Sequence, residues 1–86
     1  MQVNVLYFGI LKDVFQRDRE ALELGETSTA EALLDSLRGR VKTAAGLWES
    51  LAIAVNQEYV RRDVLLHEGD EVALLPPVSG GVGEGL

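Results

Sequence analysis

Ser28-Thr29-Ala30-Glu31-Ala32-Leu33-Leu34-Asp35-Ser36-Leu37-Arg38, residues 28–38, carries the strongest helical pattern in the chain, and the segments flanking it decide the fold. Ser28 and Glu31 fit a capping box, in which a hydroxyl and a carboxylate satisfy the first unpaired amides of a helix. Ala30, Leu33, Leu34, Leu37 and Val41 recur at helical spacing and make one apolar stripe. Glu31 and Asp35 fall early while Arg38, Arg40 and Lys42 fall late, which complements the helix dipole. Gly39 and Gly46 weaken any continuation, so Ala44 to Ser50 reads as a separate turn or short helix. Trp48, the single tryptophan, is expected to pack between helix and sheet.

On the amino-terminal side, Val3-Asn4-Val5-Leu6-Tyr7-Phe8 is an almost continuous apolar strand closed by Gly9. That pattern predicts a strand covered on both faces or placed in the middle of its sheet. Ile10 to Phe15 makes a short helical turn with Lys12, Asp13 and Gln16 outward, and Arg17-Asp18-Arg19 is a polar connection. Ala21-Leu22-Glu23-Leu24, ended by Gly25, is a second strand that returns alongside the first. Beyond the helix, Leu51 to Asn56 is a third strand, and Asn56-Gln57-Glu58 turns into Tyr59-Val60. Val64-Leu65-Leu66 adds a short apolar piece. His67-Glu68-Gly69-Asp70 turns the chain into a last strand, Glu71 to Leu75. The order predicts an α+β roll, with one main helix laid across a mixed sheet.

Eighty-six residues support one domain, which buries roughly two-thirds of the surface its unfolded chain exposes. Hydrophobic residues at 47% with charged residues at 26% are those of an ordinary packed fold. A net charge of −6 argues against a phosphate-backbone binder, which needs clustered Lys and Arg, and suits a basic partner surface. With no cysteine, disulfides, thiolate metal sites and thiol nucleophiles are excluded. The start of the chain lacks a basic segment followed by an apolar one, and no apolar run approaches the ~20 residues of a membrane span. A soluble cytoplasmic protein, without nucleic-acid or membrane partners, is the expectation.

The chain offers little for a self-contained active site. His67, beside Glu68 and Asp70 in a turn, lacks the converging ligands of a metal centre and the pocket of an acid–base catalyst. No serine has a histidine in a nucleophile arrangement. Gly80-Gly81-Val82-Gly83 has no Lys-Ser/Thr and no following helix to make it a phosphate loop. Asp70 and Glu71 straddle a turn and a strand, so their side chains diverge.

What remains is Leu74-Leu75-Pro76-Pro77-Val78-Ser79-Gly80-Gly81. Two prolines fix φ and withhold amide donors, pushing the chain out of the sheet and holding it extended. Val78 and Ser79 are small, and the glycine pair has no Cβ, so this backbone fits a slot too narrow for side chains. A frayed terminus is the plainer reading of a Gly-rich end. The apolar run and the proline spacer favour an arm built for insertion.

Val5-Leu6-Tyr7-Phe8-Gly9, Ala54-Val55-Asn56-Gln57, Glu68-Gly69-Asp70-Glu71-Val72-Ala73 and Pro76-Pro77-Val78-Ser79-Gly80-Gly81, in collinear order, together resemble the small, sulfur-carrier subunit of molybdopterin synthase. The resemblance implies the ubiquitin-like β-grasp fold for residues 1–81. It also implies a chemistry in which an ATP-using adenylyltransferase activates the terminal glycine carboxylate. A sulfur donor converts it to a thiocarboxylate, and the large synthase subunit receives the arm. Sulfur then passes to cyclic pyranopterin monophosphate, building the molybdopterin dithiolene. No cofactor is implied for the chain itself. By position, Gly81 would carry the sulfur, and Ser79 and Gly80 would lie in the partner's channel with Pro77 behind them. Phe8, Leu75 and Val78 would form an apolar docking patch, with burial in the domain's own core the alternative for Phe8 and Leu75. Lys12 would pair with the partner or stay solvated.

Family members end at the second glycine, whereas Gly81 is here joined to Val82, and an amide cannot be adenylated. Trimming of residues 82–86 by a protease is the favoured account. Fusion to a further segment and loss of carrier activity are the others. Sulfur carriage for thiamine or tRNA thiolation, protein modification, and a non-reactive β-grasp interaction module are the competing functions.

Overall fold

The computed structural model describes residues 1–41 and 45–77. Five strands and three helices follow in chain order: β1 (Gln2–Tyr7), α1 (Ile10–Phe15), β2 (Arg19–Glu23), α2 (Ala30–Arg38), α3 (Ala45–Ser50), β3 (Ala52–Val55), β4 (Glu58–Val60) and β5 (Glu71–Leu75). The sheet order is β2-β1-β5-β3-β4. β1 and β5 run parallel, with Leu6 opposite Ala73 and Tyr7 opposite Leu74, and the other neighbouring strands run antiparallel. This is the β-grasp arrangement, a mixed sheet with helices packed across it.

One face of the sheet is covered. Val3, Val5 and Tyr7 of β1, Ile53 of β3, and Val72 and Leu74 of β5 share a core with Leu33, Leu34 and Leu37 of α2 and with Trp48 of α3. The helical stripe read from the sequence is therefore the buried one, and Val41 packs against its edge. Two strand expectations need correction. β1 is interior, but the middle strand is β5. β1 also alternates, with Gln2 and Asn4 exposed between buried valines. Its near-continuous apolar run thus comes from Leu6 and Phe8, which lie off the core face and not under a second layer.

The cap of α2 is also displaced. Thr29, not Ser28, is the N-cap: its Oγ1 accepts from the amide of Ala32 at 3.2 Å, while the Ser28 hydroxyl donates to the Gly25 carbonyl at 2.7 Å. The Leu66 amide donates to the Ser28 carbonyl and Thr29 bridges Leu65, so the chain is still extended at Thr29, with ψ of 171°, and the helix starts one residue later. Glu31 is consequently the second helical residue, and its carboxylate lies 3.7 Å from Arg62. The piece at Val64 to Leu66 contributes that single bridge, whereas Glu58–Val60 forms the short strand β4. Asn56 and Gln57 join β3 to β4 with φ of 52° and 73°, a two-residue turn of the kind whose twist suits hairpins. α3 starts at Ala45; Lys42 and Ala44 lie outside the described residues.

Arg62 fastens the helices to the sheet. Its Nη2 donates to the Trp48 carbonyl at 2.6 Å and the Leu51 carbonyl at 3.3 Å, satisfying the end of α3. Its own carbonyl accepts from the Glu31 amide at 2.8 Å. Arg62→Ala strips partners from partly buried carbonyls and is expected to cost about 1–3 kcal/mol. The check is the urea midpoint at unchanged slope. Arg61→Ala, a side chain 90% exposed, should move stability by less than about 0.5 kcal/mol.

A second fastening joins β1, β2 and the end of α2. Tyr7 and Phe15 stack at 4.4 Å, Trp48 meets Phe15 edge-on at 6.2 Å, and the Arg40 guanidinium sits 5.3 Å from the Phe15 ring centre. The Tyr7 hydroxyl donates to Glu20, which also takes Arg40 at 2.9 Å and Arg17 at 3.1 Å. Burial pushes the Glu20 carboxyl up, but the Tyr7 hydrogen bond and the Arg40 and Arg17 charges outweigh it, and the net shift is down. Burial, then the bond to Glu20, pushes the Tyr7 phenol up.

The two signs bracket stability. A depressed carboxyl stabilises fully above its unfolded value near ~4.3, and that contribution is lost as pH falls through the folded value. A raised phenol stabilises fully below its unfolded value near ~10, and that contribution is lost as pH rises through the folded one. Urea unfolding across pH is expected to show both limbs, with Glu20→Gln flattening the acid limb.

Candidate functional site: an open sheet face at the root of the arm

Because strand side chains alternate, burial of Tyr7, Ile53 and Leu74 sends their neighbours to the opposite face, which no element among the described residues covers. The strand registers align a row across it: Arg19 beside Leu6, Leu6 beside Ala73, Ala73 beside Ala54, Ala54 beside Tyr59. Ala52 and Leu75 form the next pair toward the arm. Alanines make a low floor, and Leu6 and Tyr59 stand at its sides. Ala54 is only 8% exposed yet does not belong to the core cluster. Tyr59 is 76% exposed, a large aromatic left in water. Contiguous exposed apolar surface of this kind marks an interaction site.

Phe8 extends the face past the end of β1. It is 39% exposed and outside the core cluster, as is the half-buried Leu75, so neither takes the core alternative. Lys12 is exposed on α1 and, with Leu6, Tyr7, Phe8, Asp18 and Arg19, lines a hollow of about 180 Å³ beside Phe8. Lys12 and Arg19 thus place two cations at the arm end of the face.

The root of the arm is fixed by a close approach. Gly9 has φ of 59°, and a Cβ built on it would lie 3.0 Å from Cγ of Pro76. The proline ring therefore sits against bare backbone between β1 and α1. Pro76 is half-buried there and Pro77 is exposed, leaving the sheet. Val78, Ser79, Gly80 and Gly81, and residues 82–86, lie outside the described residues.

Elsewhere the described residues gather no three His, Asp or Glu side chains as metal ligands. The His67 side chain is 79% exposed, 3.9 Å from Asp70. Asp70 instead accepts from the His67 amide and from Asn56 Nδ2, locking the turn before β5 to the β3–β4 turn. No helix among the described residues is long and apolar enough to cross a membrane.

The ThiS family matches residues 5–81, from the middle of β1 to the second glycine. The chain belongs to the ThiS family. This ThiS-family chain is 37% identical over 83 residues to the molybdopterin synthase sulfur carrier subunit of Chlamydomonas reinhardtii, covering 94% of this chain and 100% of that protein. A solved structure from Pyrococcus furiosus, a putative molybdopterin converting factor subunit 1, superposes with a TM-score of 0.76 at 29% identity, covering 91% of this chain and 99% of that one. A second, from a protein–protein complex of subunits 1 and 2 of the molybdopterin-converting factor of Helicobacter pylori, gives 0.66 at 26% identity, covering 94% of this chain and 100% of that one. In the ThiS-family chain the sequence-selected residues Phe8, Leu75 and Pro77 gather where the arm leaves the sheet, with Lys12 at the edge. Tyr59, Leu6 and the alanine floor escaped the sequence reading. The alternation Ala52-Ile53-Ala54 paired with Tyr59 was their one signal, and it required knowing which face α2 covers.

Proposed function

We propose that this chain is the sulfur carrier of a molybdopterin synthase, working in the cytoplasm, with Gly81 as the carrying residue and the open sheet face as the docking surface for the large subunit. The observation that carries the reading is the coincidence of three features. An uncovered apolar face lies beside the root of the arm, a proline-stiffened exit is held against Gly9, and the family match ends on Gly81. The named relatives support the same reading.

Each step asks little of the chain except shape. With residues 82–86 removed, the Gly81 carboxylate attacks the α-phosphate of ATP in the activating enzyme and pyrophosphate leaves. The acyl adenylate is then open to sulfur: a C–S bond forms, the C–O bond to AMP breaks, and a thiocarboxylate results. The bare glycines let nucleotide and sulfur donor approach the carbonyl unobstructed. The large subunit next receives the arm and supplies the pocket in which sulfur passes to cyclic pyranopterin monophosphate. ATP is consumed in the activating enzyme, and the carrier needs no resident cofactor.

Reconstitution tests the reading. A chain ending at Gly81, given the activating enzyme, ATP, a sulfur donor, the large subunit and cyclic pyranopterin monophosphate, is expected to yield molybdopterin. Dependence on thiazole synthesis or tRNA thiolation partners instead, with no molybdopterin formed, would overturn it.

A further inference from the structure

A hollow of about 620 Å³ opens where β3 and β4 part. Their last paired residues are Ile53 and Val60; beyond them β3 keeps its partner Leu75 through Ala52, while the chain after β4 turns away. The resulting notch is lined by Ala52, Tyr59 and Val60 and by Arg61, Arg62 and Asp63; Ile53 also borders it but is 3% exposed and belongs to the core. Two of these, Ala52 and Tyr59, also belong to the open face, so notch and face form one continuous surface. Ala52 sits opposite the last residue of β5, which puts the notch beside the exit of the arm.

Its charge is distinctive in a chain of net −6. Arg62 is committed to the carbonyls of Trp48 and Leu51. Arg61 is 90% exposed, and its contact with Asp63 is a single long one at 3.9 Å, worth little in water. An exposed guanidinium with a forked set of donors suits a carboxylate.

We infer that this notch receives an acidic side chain, carried on an apolar segment of the large subunit, which Arg61 pairs in place of its long contact with Asp63 while the segment packs on Ala52, Tyr59 and the exposed edge of Val60. The inference rests on the docking role of the open face and adds its specificity element. A second anchor beside the arm would fix the angle at which the arm enters the partner, because two separated contacts stop the carrier pivoting about one patch.

The experiment measures binding of the large subunit to the full chain by calorimetry at low and at physiological salt. Arg61→Glu, which reverses charge on an exposed side chain, and Ala52→Phe, which fills the notch, are each expected to weaken binding about tenfold or more. The salt dependence should fall with Arg61→Glu. Both variants should keep the parent's thermal midpoint. Leu75→Asp, on the open face outside the notch, is the control. Loss of binding with Leu75→Asp and parent-like binding with both notch variants would overturn this inference and leave the docking face standing. Parent-like binding with all three would overturn both.

Discussion

Phe8→Asp is expected to weaken binding of the large subunit by about 30- to 700-fold, the range of a central hot-spot loss of about 2–4 kcal/mol. The cause is desolvation. Phe8 lies beside Leu6, Leu75 and the root of the arm, so a docked partner would enclose whatever side chain stands there, and a carboxylate without a partner is costly to enclose. Since 39% of Phe8 is already in water and it lies outside the core cluster, the free chain should unfold within about 0.5 kcal/mol of the parent. Calorimetric titration and urea unfolding on the same sample separate the effects. A binding loss below about threefold with stability intact would remove Phe8 from the interface.

The second large effect falls on folding. Trp48 is 2% exposed, meets Phe15 edge-on at 6.2 Å, and shares one core cluster with residues of α2 and the sheet. Trp48→Ala removes the largest side chain of a small core and leaves a cavity that short α3 cannot collapse to fill, at a cost of about 3–5 kcal/mol. Domains of this size have total stabilities toward the low end of about 5–15 kcal/mol, so the variant should be substantially unfolded at 37 °C. Circular dichroism and urea titration measure this. A cost below about 1 kcal/mol would mean that the tryptophan is not a core residue.

The covered half of the molecule was legible in the sequence because helix and strand periods both register burial. Ala30, Leu33, Leu34 and Leu37 name the face of α2, and Glu71 to Leu75 names the last strand. What failed were boundaries set by backbone partners distant in sequence. Thr29 caps α2 while pairing with Leu65 beside the bond from the Leu66 amide to the Ser28 carbonyl, and a local pattern carries no trace of that pairing. The open face was half legible for a related reason. Phe8 and Leu75 were named by what the resemblance implies, whereas Leu6, Ala54, Ala73 and Tyr59 become neighbours only through the strand order β2-β1-β5-β3-β4. The apolar run in β1 suggests a strand covered on both faces or central in its sheet, although an apolar side chain on an uncovered face produces the same string.

The arm's chemistry is tested most directly by intact mass. A chain halted after Gly81 is incubated with the activating enzyme, ATP and a sulfur donor, beside one halted after Ser79. The account predicts that the first exchanges one oxygen for sulfur at its terminal carboxyl and that the second does not. A first chain whose mass stays unchanged, while the same enzyme loads a known carrier in parallel, would contradict it.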